Sequence, residues 1–152
     1  MPKHSSEKAG FSLKYVVYAV ILIAVLFFGY RAFVYLSSPK ECKESSLSIH
    51  EISNEQVLCV FPDNSRLQMI LKNDGRSVIE GAVLEISGEK GKAVRRIENL
   101  NLNPGDVATS VVEYGKENGD IKKITITPLV EHDSGEFMCS IRKMSFSGVK
   151  TC

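Results

Sequence analysis

The chain has 152 residues, 19 Lys and Arg against 18 Asp and Glu, 43% apolar residues, four Cys and no Trp. That length accommodates one compact domain plus an appendage, and a formal charge of +1 excludes the basic excess of a nucleic-acid binder. The averages conceal a division, because no residue from Tyr15 to Tyr30 is charged.

Residues 1–14 carry Lys3, Lys8 and Lys14 against Glu7 and are expected as a short cytoplasmic tail. The apolar run that follows continues past Arg31 to Leu36. At about 1.5 Å per residue, 15–36 spans roughly 33 Å as a helix, enough to cross a hydrocarbon core of about 30 Å. Arg31 lies within one and a half turns of the C-terminal end, where a long stem can carry its charge to the headgroups. Tyr15, Tyr18, Tyr30 and Tyr35 fall near the two ends, where amphipathic rings favour the interface. A cleaved secretory signal needs a shorter apolar stretch and small residues before the cut. Here the stretch is too long, and Gly29, Ala32 and Ser37 have Phe27, Tyr30 and Tyr35 two positions earlier. The expectation is an uncleaved anchor.

The positive excess on the N-terminal side places 1–14 in the cytoplasm and the rest of the chain outside. Cysteine placement agrees, since Cys42, Cys59, Cys139 and Cys152 all follow the span. An even number on one side suits two disulfides in an oxidising compartment. A zinc site lacks a Cys-x-x-Cys pair and a ligand-like interval to His50 or His132.

Residues 37–45 read as a linker and 46–152 as an exported β domain. Turn clusters recur at Pro62-Asp63-Asn64-Ser65, Asn73-Asp74-Gly75, 87–91, Asn103-Pro104-Gly105-Asp106, 117–120 and 133–136. Between them apolar residues alternate: Leu67, Met69 and Leu71; Ala82, Leu84 and Ile86; Ile124 and Ile126; Phe137, Cys139 and Ile141. Period-two patterning with one wet face describes packed antiparallel sheets. Seven or eight such strands give a mainly β fold, an immunoglobulin-like antiparallel β-sandwich preceded by one transmembrane α-helix. Cys59, between Val57 and Phe61, and Cys139 are expected to point inward. Three cysteine pairings remain open: the inward pair with the ends joined, Cys42 with Cys139 and Cys59 with Cys152 if the first and last strands lie side by side, or two local bonds.

The stretch 67–86, with Leu102-Asn-Pro-Gly-Asp106 and Ile124-Thr-Ile-Thr-Pro128, resembles the immunoglobulin-like adhesion-related domains called CARDB, and the chain is similar to small membrane-anchored surface proteins of archaea. The resemblance implies an extracellular scaffold or binding module without catalysis. Separately, Lys8-Ala9-Gly10-Phe11-Ser12-Leu13 before the apolar helix is similar to the processing site of type IV pilins and archaellins. That likeness implies a cut between Gly10 and Phe11 and assembly of the helix into a filament core. It departs from the family at Tyr15, where most bacterial pilins carry an acid, and at Ala9, where archaeal sites carry a charge.

No catalytic motif stands out. Glu131-His132-Asp133 puts acid beside imidazole, but neighbours in a strand face opposite ways, and a solvated loop accounts for them. Asp63, Asp74 and Asp120 each offer one or two oxygens where calcium needs six to eight, so turn formation explains them. Arg95-Arg96 and Lys122-Lys123 read as outward strand positions. The sequence therefore predicts a non-enzyme with no metal or cofactor. The expected partners are the membrane, other cell-envelope or extracellular proteins, and further copies in an oligomer or filament.

Overall fold

The computed structural model describes residues 13–52, 55–63, 65–133 and 135–152. They divide into two units between Ser37 and Ser38, a helix and a mainly β domain.

Helix α1 covers Leu13–Ser37, 25 residues, or about 37 Å at the helical rise. It is long and apolar enough to cross a membrane, with a mean hydropathy of 2.2 over its most apolar window. Its large apolar side chains from Tyr15 to Phe33 are exposed around the whole circumference. The Arg31 guanidinium lies over the Phe27 ring one turn back, 5.3 Å from the centroid, a placement that shelters its stem and draws on the ring quadrupole. The helix stops before Pro39, which disfavours helical backbone in the residue preceding it.

The second unit begins with α2 (Lys40–Glu44) and continues through β1 (Leu47–Ile49), β2 (Glu51–Ile52), β3 (Glu55–Gln56), β4 (Leu58–Val60), β5 (Arg66–Asn73), β6 (Gly81–Gly88) and β7 (Lys92–Ile97). After these come β8 (Val107–Glu113), β9 (Ile121–His132), β10 (Gly135–Met138), β11 (Met144–Ser147) and β12 (Lys150–Thr151). Residues 40–44, expected within a linker, instead form a helical turn whose Cys42 is buried.

Two sheets enclose the core. In the first, β5 has β8 on one edge and both β1 and β4 on the other, with β12 outside β4. In the second, β9 lies between β6 and a strand broken into β10 and β11, and β7 flanks β6. Leu67, Met69 and Leu71 from the first sheet meet Ala82, Leu84, Ile86, Ile124 and Ile126 from the second, all fully buried. This division of strands is that of an immunoglobulin-like sandwich.

Both edge strands are interrupted, and each interruption has a cause. Between β1 and β4 the chain makes a small excursion, β2 paired with β3. At its base His50 N–H donates to Ile70 O (2.8 Å), and Ile70 N–H donates to Val57 O (3.0 Å). In the other sheet, β11 pairs with Ile126 to Lys123 and β10 with His132 to Leu129, so Pro128 sits at the break. Its carbonyl accepts from Cys139 N–H at 2.9 Å, but its nitrogen has no proton to return. The partner chain leaves the ladder there as a 3-10 turn, Ser140–Arg142. The expected strand through Phe137, Cys139 and Ile141 is thus corrected: it ends at Met138, and Phe137 is 40% exposed.

Asn73 and Gly75 fix the entry of the domain. The Asn73 side chain is fully buried; its Nδ2 donates to Ser77 O and Leu102 O (2.8 and 2.9 Å), and its Oδ1 accepts from Gly75 N–H at 2.9 Å. Across from this turn, Asp74 N–H donates to Ser46 O and Arg76 N–H to Glu44 O, both at 2.8 Å. A Cβ at position 75 would strike Ser46 N and Glu44 O, so only glycine lets the two segments approach.

Candidate functional site

The four cysteines form Cys42–Cys139 and Cys59–Cys152, with Cα separations of 5.3 and 5.0 Å. Of the three open pairings this is the one that places the first and last strands together, and β12 does run parallel beside β4, Lys150 opposite Cys59. Cys139 is buried as expected. Cys59 is not turned into the core: Leu58 and Val60 point inward, paired with Met69 and Leu67 of β5. Since 57 and 61 are as apolar as 58 and 60, alternation alone allows either phase, and the register with β5 selects one.

The buried bond lies under α2. Val130 shares the face of β9 that carries Ile124 and Ile126, yet it packs with Cys42, Cys139 and Ile141 in a satellite cluster. Arg142 closes the end of α2, its Nε donating to Cys42 O at 3.4 Å and its Nη2 to Lys43 O, which offsets carbonyls a helix end leaves unpaired. His132 belongs to the end of β9 rather than to a loop. Its Nδ1 is 3.2 Å from the buried Glu41 Oε2, an oxygen that accepts no aligned hydrogen bond. The acid beside this imidazole therefore comes from α2 and not from Glu131 or Asp133.

A second gathering of side chains lies at the open edge of the sandwich, a groove of about 470 Å³. One wall is β1 with Lys72 and Asp74; the other is Met144 and Phe146 of β11. Lys72 Nζ is 2.7 Å from Asp74 Oδ1, and Ser48 Oγ donates to Asp74 Oδ2 at 2.6 Å. The Lys72 contact first, and the Ser48 hydroxyl second, hold the Asp74 carboxyl below its usual range.

A third, shallower groove of about 330 Å³ collects Glu80, Glu98, Glu131 and Glu136 around Arg96, whose guanidinium pairs with Glu98 at 3.3 Å and with Glu136. Arg95 and Arg96 are exposed, as are Lys122 and Lys123, and Lys122 is paired with Glu89 at 2.6 Å. Asp63 serves its turn, its Oδ1 accepting from Ser65 N–H at 3.2 Å and its Oδ2 from Ser65 Oγ at 2.6 Å. Among the described residues no group of three His, Cys, Asp or Glu side chains is gathered for a metal ion. Gly10 and Phe11 lie outside the described residues.

Tyr114 carried no signal in the sequence. It is fully buried, with its Oη against Gly88 and without a hydrogen-bond partner. Burial, with Asp120, Glu117 and Glu89 adding to it, pushes the hydroxyl above its ordinary value.

No protein-family model and no curated protein matches the chain.

Proposed function

We propose that the chain is a single-pass membrane protein whose residues 1–14 stay in the cytoplasm and whose β domain stands outside the cell as a non-catalytic interaction or structural module. The observation that carries this reading is one-sidedness along the chain: all four cysteines follow α1 and pair with one another, and disulfides persist where thiols are oxidised. The charge asymmetry across the helix points the same way. The likeness to immunoglobulin-like adhesion-related domains supports a binding or scaffolding role, with partners among cell-envelope proteins.

Protease added to intact cells is expected to remove residues 40–152 and leave the helix in the membrane fraction. Full protection of the domain would overturn the topology. The filament-subunit alternative uses the same apolar circumference of α1, which a filament core covers as well as lipid does. N-terminal sequencing separates the two: a mature start at Phe11 favours the filament, and a start at Met1 or Pro2 favours the anchor.

A further inference from the structure

We propose that the free edge of β1 is a self-association edge, at which two copies of the chain pair their β1 strands antiparallel about a two-fold axis through Ser48. The hydrogen-bond pattern exposes this edge. Ser46 O accepts from Asp74 N–H and His50 N–H donates to Ile70 O, so the Ser46 carbonyl and the His50 N–H are turned toward β5, while His50 O accepts from Val57 N–H at 3.1 Å. Bonded and non-bonded positions alternate in an antiparallel ladder, so Ser48 turns the same way. Leu47 and Ile49 therefore aim their N–H and C=O groups at the outer edge. Among the described residues no strand pairs with that edge.

The other half of the same edge shows how the chain treats such a position. There β4 is covered by its own β12 and fastened by Cys59–Cys152. On the far side of the domain β7 is guarded by Lys92, Arg95 and Arg96, the usual defence against strand addition. The segment Leu47-Ser48-Ile49 has neither cover nor charge nor proline. The charges beside it on β5, Lys72 and Asp74, neutralise each other at 2.7 Å and so do not repel a copy, and Glu51, which lines the same groove, lies two residues beyond its end.

The strand is also complementary to itself. About an axis through Ser48, Leu47 faces the partner's Ile49 and Ile49 faces the partner's Leu47, which gives four main-chain hydrogen bonds. The small Ser48 side chains meet at the centre as a close, non-bonded pair. An isologous contact of this kind closes at two copies. Leu47 and Ile49 are already buried in the core, with Met144 and Phe146 half-buried against them, so the contact is made mainly by main-chain hydrogen bonds, and joining two first sheets adds cover only to the half-buried Met144 and Phe146. An edge of three residues is far smaller than the roughly 1,000 Å² that a freely diffusing pair needs. Confinement raises effective concentration without new contacts, so this inference rests on the membrane-anchored reading above.

The test uses the full-length chain in lipid vesicles with Ser48→Cys, oxidised by copper phenanthroline, and Thr109→Cys on the exposed opposite edge as comparison. Directly opposed Cβ atoms in a close antiparallel pair lie about 4.5 Å apart, near disulfide reach, so Ser48→Cys is expected to give at least ~10-fold more covalent dimer than Thr109→Cys. Equal yields at the two positions would overturn the proposal. Peptide mapping without reduction checks that Cys42–Cys139 and Cys59–Cys152 survive. Ser48→Lys, measured by energy transfer between labelled copies, needs no added thiol: like charges opposed across the axis should abolish the transfer, and unchanged transfer would also overturn it. Carbonate extraction of the same vesicles reports separately whether the chain is anchored.

Discussion

The two disulfides close loops of nearly equal length, 97 and 93 residues of separation, and sit in opposite surroundings. Cys42 and Cys139 are buried beneath α2, whereas Cys59 is half-buried and Cys152 exposed on the outer face of the first sheet. With one bond in place, the other completes the same ring in either case. That ring runs 17 residues from Cys42 to Cys59 and 13 from Cys139 to Cys152, about 30 in all and worth about 3.6 kcal/mol in chain entropy. Any difference between the two bonds therefore measures packing and access rather than loop length.

The sharpest way to expose that difference is to remove each bond. Cys59→Ala with Cys152→Ala should cost about 3–4 kcal/mol. Cys42→Ala with Cys139→Ala should cost about 2 kcal/mol more, because it also hollows the cluster with Val130 and Ile141. Urea unfolding of the full chain in detergent, followed by circular dichroism, reads both, and equal costs would break the comparison. Next in size, Gly75→Ala should cost about 2–3 kcal/mol, since its Cβ meets main chain at Ser46 and Glu44. The loss should appear first as faster amide exchange at Asp74 and Arg76, on the side that carries the buried bond.

A smaller effect concerns pH. Asp74 is held below its ordinary value by Lys72 and then Ser48. A carboxylate with a lowered folded pKa contributes stability that is fully present above its unfolded value and is lost as pH falls through the folded one. Stability should therefore decline below about pH 4, and Asp74→Asn should flatten that decline by at most about 1 kcal/mol, the pair being largely exposed. The smallest effect is expected at Tyr114. Its hydroxyl is buried without a partner, so Tyr114→Phe should change stability by about zero or raise it slightly, and a loss above about 1 kcal/mol would contradict the environment described.

Much of the sandwich was legible because its long strands have one wet face. Leu67, Met69 and Leu71 are out of phase with Gln68 and Lys72, and Ala82, Leu84 and Ile86 with Glu85, and each set is buried where alternation put it. The apolar run of α1 was equally plain. The short elements around the disulfides escaped for definite reasons. Residues 40–44 are mostly charged and bury essentially one side chain, Cys42, so no periodicity marks the turn. The break in the last strand is caused by Pro128 on a neighbouring strand, a non-local effect that alternation within 137–141 cannot register. The phase of Cys59 was ambiguous because apolar residues flank it at both intervals, and the pairing followed only once β12 was placed beside β4. The groove at β1 joins residues nearly a hundred positions apart, Leu47 and Phe146, and needed the fold.

The most direct test of the whole account applies a membrane-impermeant phosphine to intact cells at increasing dose, then an impermeant maleimide, with peptide mapping of the labelled sites. An exported domain with one exposed and one buried bond predicts labels at Cys59 and Cys152 at low dose, and at Cys42 and Cys139 only under denaturing conditions. Labelling that appears only after the cells are lysed, or that reaches Cys42 and Cys139 first, would contradict it.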